Sequence, residues 1–164
     1  MAISQLTNRG ATPKTFKATG GDVAITISAG TNLANSAGRI SAQLDLGAFP
    51  RTTIYEWKAK FRSQVAATLA ASCTLYAVWG DGTYVDGNLG TADAAVAGSD
   101  KLNNLKQIGQ ILVDISNTTD YMQASGMFSC TSRYMSLLVL NSTGQAINDF
   151  EFVLTELLSQ TVTT

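Results

Sequence analysis

Residues 52–64 limit the choice of fold more than any other stretch of this chain. Over Ile54-Tyr55-Glu56-Trp57-Lys58-Ala59-Lys60-Phe61-Arg62, the apolar Tyr55, Trp57, Ala59 and Phe61 alternate with the charged Glu56, Lys58, Lys60 and Arg62. Successive side chains of an extended strand leave on opposite faces, so the pattern separates into one apolar face and one charged face. At 3.6 residues per turn the same residues would be mixed around a helix. The segment therefore predicts a strand in a sheet with one buried face, and the rest of the chain must supply what buries it.

Further stretches repeat the period. Residues 15–18 and 23–28 read as strands joined by a Gly20-Gly21-Asp22 turn, with Val23, Ile25 and Ile27 on one face. Residues 39–46 alternate Ile40, Ala42, Leu44 and Leu46 with Arg39, Ser41, Gln43 and Asp45. Residues 72–80 form a strand near the middle of a sheet. The connection at 65–71 has helix formers over only two turns and reads as a hairpin loop. Strands follow at 106–115, 120–129, 133–141 and 150–157, of which 133–141 is the most continuously apolar and is expected to be central.

Residues 81–104 keep no period. A loop of that length in a compact domain tends to be functional, which makes it the candidate contact surface. Frequent turns and no long amphipathic helix predict an all-β fold: a single-domain antiparallel β-sandwich, jelly-roll-like. The expected organisation is an extended polar N-terminal arm over 1–14, the sandwich over 15–158 and a polar C-terminal tail over 159–164.

Only 14% of the 164 residues are charged, against about 25% in an average soluble domain. The surface is neutral, as in secreted or virion proteins and in subunits partly covered by neighbours. A net charge of -1 supplies no basic field for a phosphate backbone, so no nucleic-acid partner is expected. No stretch approaches the ~20 apolar residues of a membrane span, and the N-terminus lacks a signal-peptide core. Both point to a soluble chain made in a cytoplasm. Without that signal, the sequons at Asn117-Thr118-Thr119 and Asn141-Ser142-Thr143 read as turns.

No motif carries chemistry. The chain has no histidine, which removes the commonest general base and the commonest zinc ligand. A glycosidase needs two carboxylates held ~5–9 Å apart, and Asp81, Asp86, Asp93 and Asp100 share the long loop; Asp-Gly turns explain them more simply. Calcium at Asp81 and Asp86 would lack the remaining oxygen ligands. Cys73 and Cys130 read as buried apolar residues. Trp57 and Trp79 fall at core positions, and Tyr84 is the aromatic expected to be exposed.

A succession of segments resembles small virion proteins of tailed bacteriophages. It comprises Ile54-Tyr55-Glu56-Trp57-Lys58-Ala59-Lys60-Phe61, Trp79-Gly80-Asp81-Gly82-Thr83, Leu105-Lys106-Gln107-Ile108-Gly109, Ala124-Ser125-Gly126-Met127-Phe128, Ser132-Arg133-Tyr134-Met135-Ser136, Asn141-Ser142-Thr143-Gly144-Gln145-Ala146 and Phe150-Glu151-Phe152-Val153-Leu154-Thr155. The order matches as well, over roughly 51–157. The resemblance implies a non-enzymatic capsid decoration or cement protein, synthesised in the host cytoplasm. On the virion surface it would bind the major capsid protein as a homo-oligomer.

The alternatives are a tail, neck or host-recognition component, or a carbohydrate-binding β-sandwich module that takes a host-surface glycan and needs a second exposed aromatic beside Tyr84. Candidate partner contacts are Arg9 and Lys14 of the arm region, the row Glu56, Lys58, Lys60 and Arg62, and Tyr84. The resemblance brings no catalytic, cofactor or metal residues.

Overall fold

A computed structural model describes residues 3–7, 12–49, 53–96 and 105–162. Two sheets face each other. The first takes β2 (Lys14–Lys17), β3 (Val23–Ala24), β6 (Ile54–Ser63), β10 (Met122–Ser129) and β12 (Ile147–Glu156), in the order β10-β6-β12-β2-β3. The second takes β4 (Gly38–Ile40), β7 (Ser72–Gly80), β8 (Ala94–Val96), β9 (Lys106–Leu112) and β11 (Tyr134–Ser142), in the order β8-β4-β11-β7-β9, with β5 (Leu44–Asp45) on the end of β11. From β9 to β12 consecutive strands alternate between the sheets, as in a jelly roll. The protein is an antiparallel β-sandwich, and β11 is the central strand of its sheet.

Period-two alternation sets the core. Tyr55, Trp57, Ala59 and Phe61 of β6 point inward with Phe150, Phe152 and Leu154 of β12 and meet Cys73, Leu75, Ala77, Leu137 and Val139 of the other sheet. Trp57 stacks on Phe152, with ring centroids 5.9 Å apart and 13° between planes. Cys73 and Cys130 are both buried and are not joined by a disulfide.

The structure corrects several sequence expectations. The Gly20-Gly21-Asp22 turn makes no hairpin: β2 and β3 run parallel, Phe16 opposite Val23. The loop returns the chain to the start of β2, where Asp22 Oδ2 accepts the Thr15 N–H at 2.8 Å. The strand expected over 39–46 is broken because Ser41 turns its hydroxyl inward to accept the Leu137 N–H at 2.9 Å, leaving β4 and β5 as separate pieces on β11. The 65–71 connection crosses between sheets, since β6 and β7 face each other across the core instead of pairing.

The long loop is the largest correction. Its 81–96 part folds onto the outer face of the second sheet, where Val85, Leu89 and Val96 are buried with Ile40, Val78 and Leu138 in a second small core. This cover explains why β7 and β11 are apolar on both faces; residues 97–104 lie outside the described residues. At the termini, β1 (Ile3–Thr7) pairs antiparallel with β13 (Leu158–Val162) as a separate two-stranded sheet. The arm and tail segments are thus paired with each other.

Candidate functional site

The charged row of β6 lies on the outer face of the first sheet, as its alternation requires. Cross-strand neighbours tie it down: Glu151 of β12 lies 3.3 Å from Lys17 Nζ and 3.6 Å from Lys60 Nζ, and Asp149 lies 3.7 Å from Arg62 Nε. Tyr121, just before β10, lies beneath Arg62 with 4.1 Å from Cζ to the ring centroid, and donates its hydroxyl hydrogen bond to Asp149. That bond raises the Tyr121 pKa. Lys58 is exposed and lies 3.9 Å from Glu56. Between Lys58 and Lys60, with Gln123, Ser125 and Glu151 as walls, lies a shallow depression of about 330 Å³. The face is a mesh of mutually neutralised charges, suited to a polar partner surface.

Of the other candidates, Lys14 is exposed at the start of β2, 3.9 Å from Asp22, and Arg9 lies outside the described residues. Tyr84 lies in the turn that follows β7 of the other sheet and is 75% exposed. Phe49, which the sequence reading did not single out, is also an exposed aromatic.

Tyr84 forms part of a constructed cleft. Asp81 Oδ1 accepts the N–H groups of Thr83 and Tyr84 at 2.8 and 2.7 Å, and the Asp81 N–H donates to Tyr84 O at 3.1 Å, closing a tight turn at the end of β7. Gly82, at φ +101°, is required inside that turn; a Cβ there would stand 3.1 Å from the Tyr134 ring beneath it. Tyr134 is covered in turn by Arg133, 5.0 Å from Cζ to the centroid, whose guanidinium forks onto Asp45 at 3.0 and 2.7 Å.

Trp79 forms the inner wall. It is half-buried and stacks on Phe128 at 6.2 Å, which stacks on Tyr55 at 5.8 Å. Ser132, whose hydroxyl donates to Gly80 O at 2.6 Å, and Asp86 complete a cleft of about 330 Å³. The Tyr84 and Thr83 N–H groups hold the Asp81 carboxyl below the usual carboxylate range, so it stays an ionised acceptor at neutral pH.

Sequence reasoning placed Trp79 in the core because its alternation is that of a core residue; the structure packs it against the main core but leaves it half-buried, past the last β9 partner of β7, Lys106 opposite Ala77. Asp93, grouped by sequence with Asp81 and Asp86, is separated from them in role. It accepts from Arg39 Nε at 2.6 Å and from the Thr26 N–H at 3.0 Å. Asp100 lies outside the described residues. Among the described residues, no three carboxylate or thiol side chains come together in a metal-binding group.

The fold and this cleft define a β-sandwich with a rigid aromatic and polar depression at one end of its second sheet. No family model and no curated protein matches the chain. Three solved structures are similar to it. The EclA C-terminal domain, a sugar-binding protein, is 18% identical, covering 92% of this chain and 80% of its own, with TM-score 0.36. The CBM22-1 xylan-binding domain from Paenibacillus barcinonensis is 13% identical, covering 99% and 94%, with TM-score 0.35. A family 16 carbohydrate-binding module is 11% identical, covering 79% and 74%, with TM-score 0.30.

Proposed function

We propose that the protein is a non-catalytic β-sandwich that binds a carbohydrate in the Trp79–Tyr84 cleft, as a structural component on the surface of a bacteriophage particle. The observation that carries the sugar-binding part is the placement of an exposed Tyr84 and a half-buried Trp79 around one depression with Asp81, Asp86 and Ser132. A sugar ring has an apolar C–H face, which lies against an aromatic ring, and a hydroxyl edge, which needs fixed donors and acceptors. The cleft offers both, and its turn is held by three hydrogen bonds before any ligand arrives, so little ordering cost opposes binding. An Asp81 held ionised accepts hydrogen bonds from sugar hydroxyls. The particle location rests on the resemblance over 51–157.

A glycan array probed with the full chain, followed by calorimetry on each hit, tests the reading. Tyr84→Ala is expected to weaken the best hit by about tenfold or more, while Tm stays unchanged because the ring is three-quarters exposed. Retention of no glycan, or equal affinity of the folded variant, would reject the cleft as a sugar site.

A second reading keeps the protein on the particle but assigns it to capsid decoration as a homo-oligomer, with the outer face of the first sheet against the major capsid protein. The pre-paired row of Glu56, Lys58, Lys60 and Arg62 favours it. Co-sedimentation with tailless shells should then saturate at a fixed ratio to the capsid subunit and be lost in Lys58→Glu/Lys60→Glu. No binding by folded wild-type protein would remove this reading.

A further inference from the structure

At the far end of the second sheet a larger cavity, about 650 Å³, opens between the 26–37 loop, β4 and β8. On β11, Tyr134 pairs with Gly80 beside the aromatic cleft and Leu140 pairs with Gly38 beside this cavity. Six residues of strand separate the two, roughly 20 Å. The walls include the small residues Ala34, Ala37 and Ala95, which leave room beside the backbone.

The polar groups of the cavity are few and fixed. Arg39 is locked by its Nε bond to Asp93, itself anchored on the Thr26 N–H. Its terminal nitrogens have no acceptor among the described residues, and its side chain remains 23% accessible. Asn32 donates from Nδ2 to Gln64 Oε1 at 2.9 Å, and its Oδ1 is buried beneath the wall with no donor among the described residues. Among the described residues the Thr31 hydroxyl bonds Ser28 Oγ alone, at 2.9 Å, and retains hydrogen-bonding capacity. A mostly apolar pocket of several hundred Å³ with a few oriented donors and acceptors is the usual form of a small-molecule site.

Charge decides the ligand class. The Arg39 guanidinium is already matched by the Asp93 carboxylate, so the pair is neutral as a whole. An anion on the free guanidinium edge would meet the field of Asp93, whereas a hydroxyl takes a hydrogen bond from Arg39 without that opposition and can donate to the Thr31 hydroxyl oxygen.

We propose that this cavity is a second ligand site, for a neutral polyhydroxylated molecule of monosaccharide size, held by the terminal nitrogens of Arg39 and the Thr31 hydroxyl. The site does not depend on sugar binding at Tyr84. Amide chemical shifts of the full chain, followed during titration with D-glucose, D-galactose, D-mannose and D-glucuronate, test it.

A neutral hexose is expected to shift the amides of residues 31–39 and 94–96 saturably, with the same affinity in Tyr84→Ala. Thr31→Val is expected to weaken binding about three- to tenfold, the effect of losing one hydrogen bond. Ala37→Leu, which fills the cavity and leaves the Arg39–Asp93 pair intact, should abolish the shifts. The proposal is overturned if no neutral hexose moves these amides, if D-glucuronate binds more tightly than D-glucose, or if folded Ala37→Leu binds like wild type. Shifts confined to the turn at residues 81–84 would support the aromatic cleft and reject this site.

Discussion

Replacing Gly109 by alanine tests how tightly the two sheets close on Trp57. Gly109 lies on the inner face of β9, opposite Leu75, and a Cβ there would stand 2.3 Å from Trp57 Cζ2 and 2.8 Å from Cη2. Ordinary carbon contacts are about 3.5–4.0 Å. The indole is 2% exposed, and Phe152 is stacked on it at 5.9 Å, so the ring has little room to withdraw. Overpacking of this kind costs about 1–3 kcal/mol. Restricting the unfolded chain offsets about 0.4–1 kcal/mol. The clash should win by about 1–2 kcal/mol, which for a chain of this length is a fall in Tm of about 2–8 °C.

Gly30→Ala is the control, since a Cβ there has no neighbour within 4 Å; its Tm should hold or rise slightly. Gly126→Ala, whose nearest approach to the same indole is 2.9 Å, should fall between the two. Calorimetric melting and urea unfolding measure all three. A Gly109→Ala protein as stable as Gly30→Ala would refute the close approach, and with it the account of why glycine stands on both β9 and β10.

Asn141 is fully buried; it donates to Leu33 O and Gln145 O and accepts from the Thr143 N–H and hydroxyl, so Asn141→Leu should cost about 3 kcal/mol by leaving those groups unpaired. A loss below about 1 kcal/mol in urea unfolding would contradict this. The Asp45 carboxyl is held down at about 2 by its hydrogen bonds from Arg133 and from the Gly47 N–H. A depressed carboxylate stabilises the fold above its unfolded pKa of 3.8 and loses that contribution as pH falls toward 2. The Tm difference between wild type and Asp45→Asn should therefore narrow across that window, and a constant difference would refute the pairing. Burial pushes the Cys73 thiol far above its ordinary value. Neither Cys73 nor Cys130 should react with iodoacetamide in the native protein, while both should in denaturant; native labelling faster than unfolding would contradict the packing.

The alternation of β6, β7 and β12 determined that these segments are strands and which side of each faces the core, because side-chain direction in an extended chain depends only on position parity. The buried Trp57 and the outward row of Glu56, Lys58, Lys60 and Arg62 were legible for the same reason, as was an exposed Tyr84 in a polar Asp-Gly turn. Parity is local, however, and says nothing about which strands become neighbours. Only tertiary packing made β2 and β3 parallel, sent 65–71 across the sandwich and folded 81–96 over the second sheet, because each choice is settled by burying apolar faces brought together from distant parts of the chain. The two candidate sites depend on the same long-range step. Trp79 and Tyr84 line one cleft only because the turn after β7 returns beside the end of that strand, and Arg39 meets Asp93 across 54 residues of chain, a distance over which no sequence period reaches.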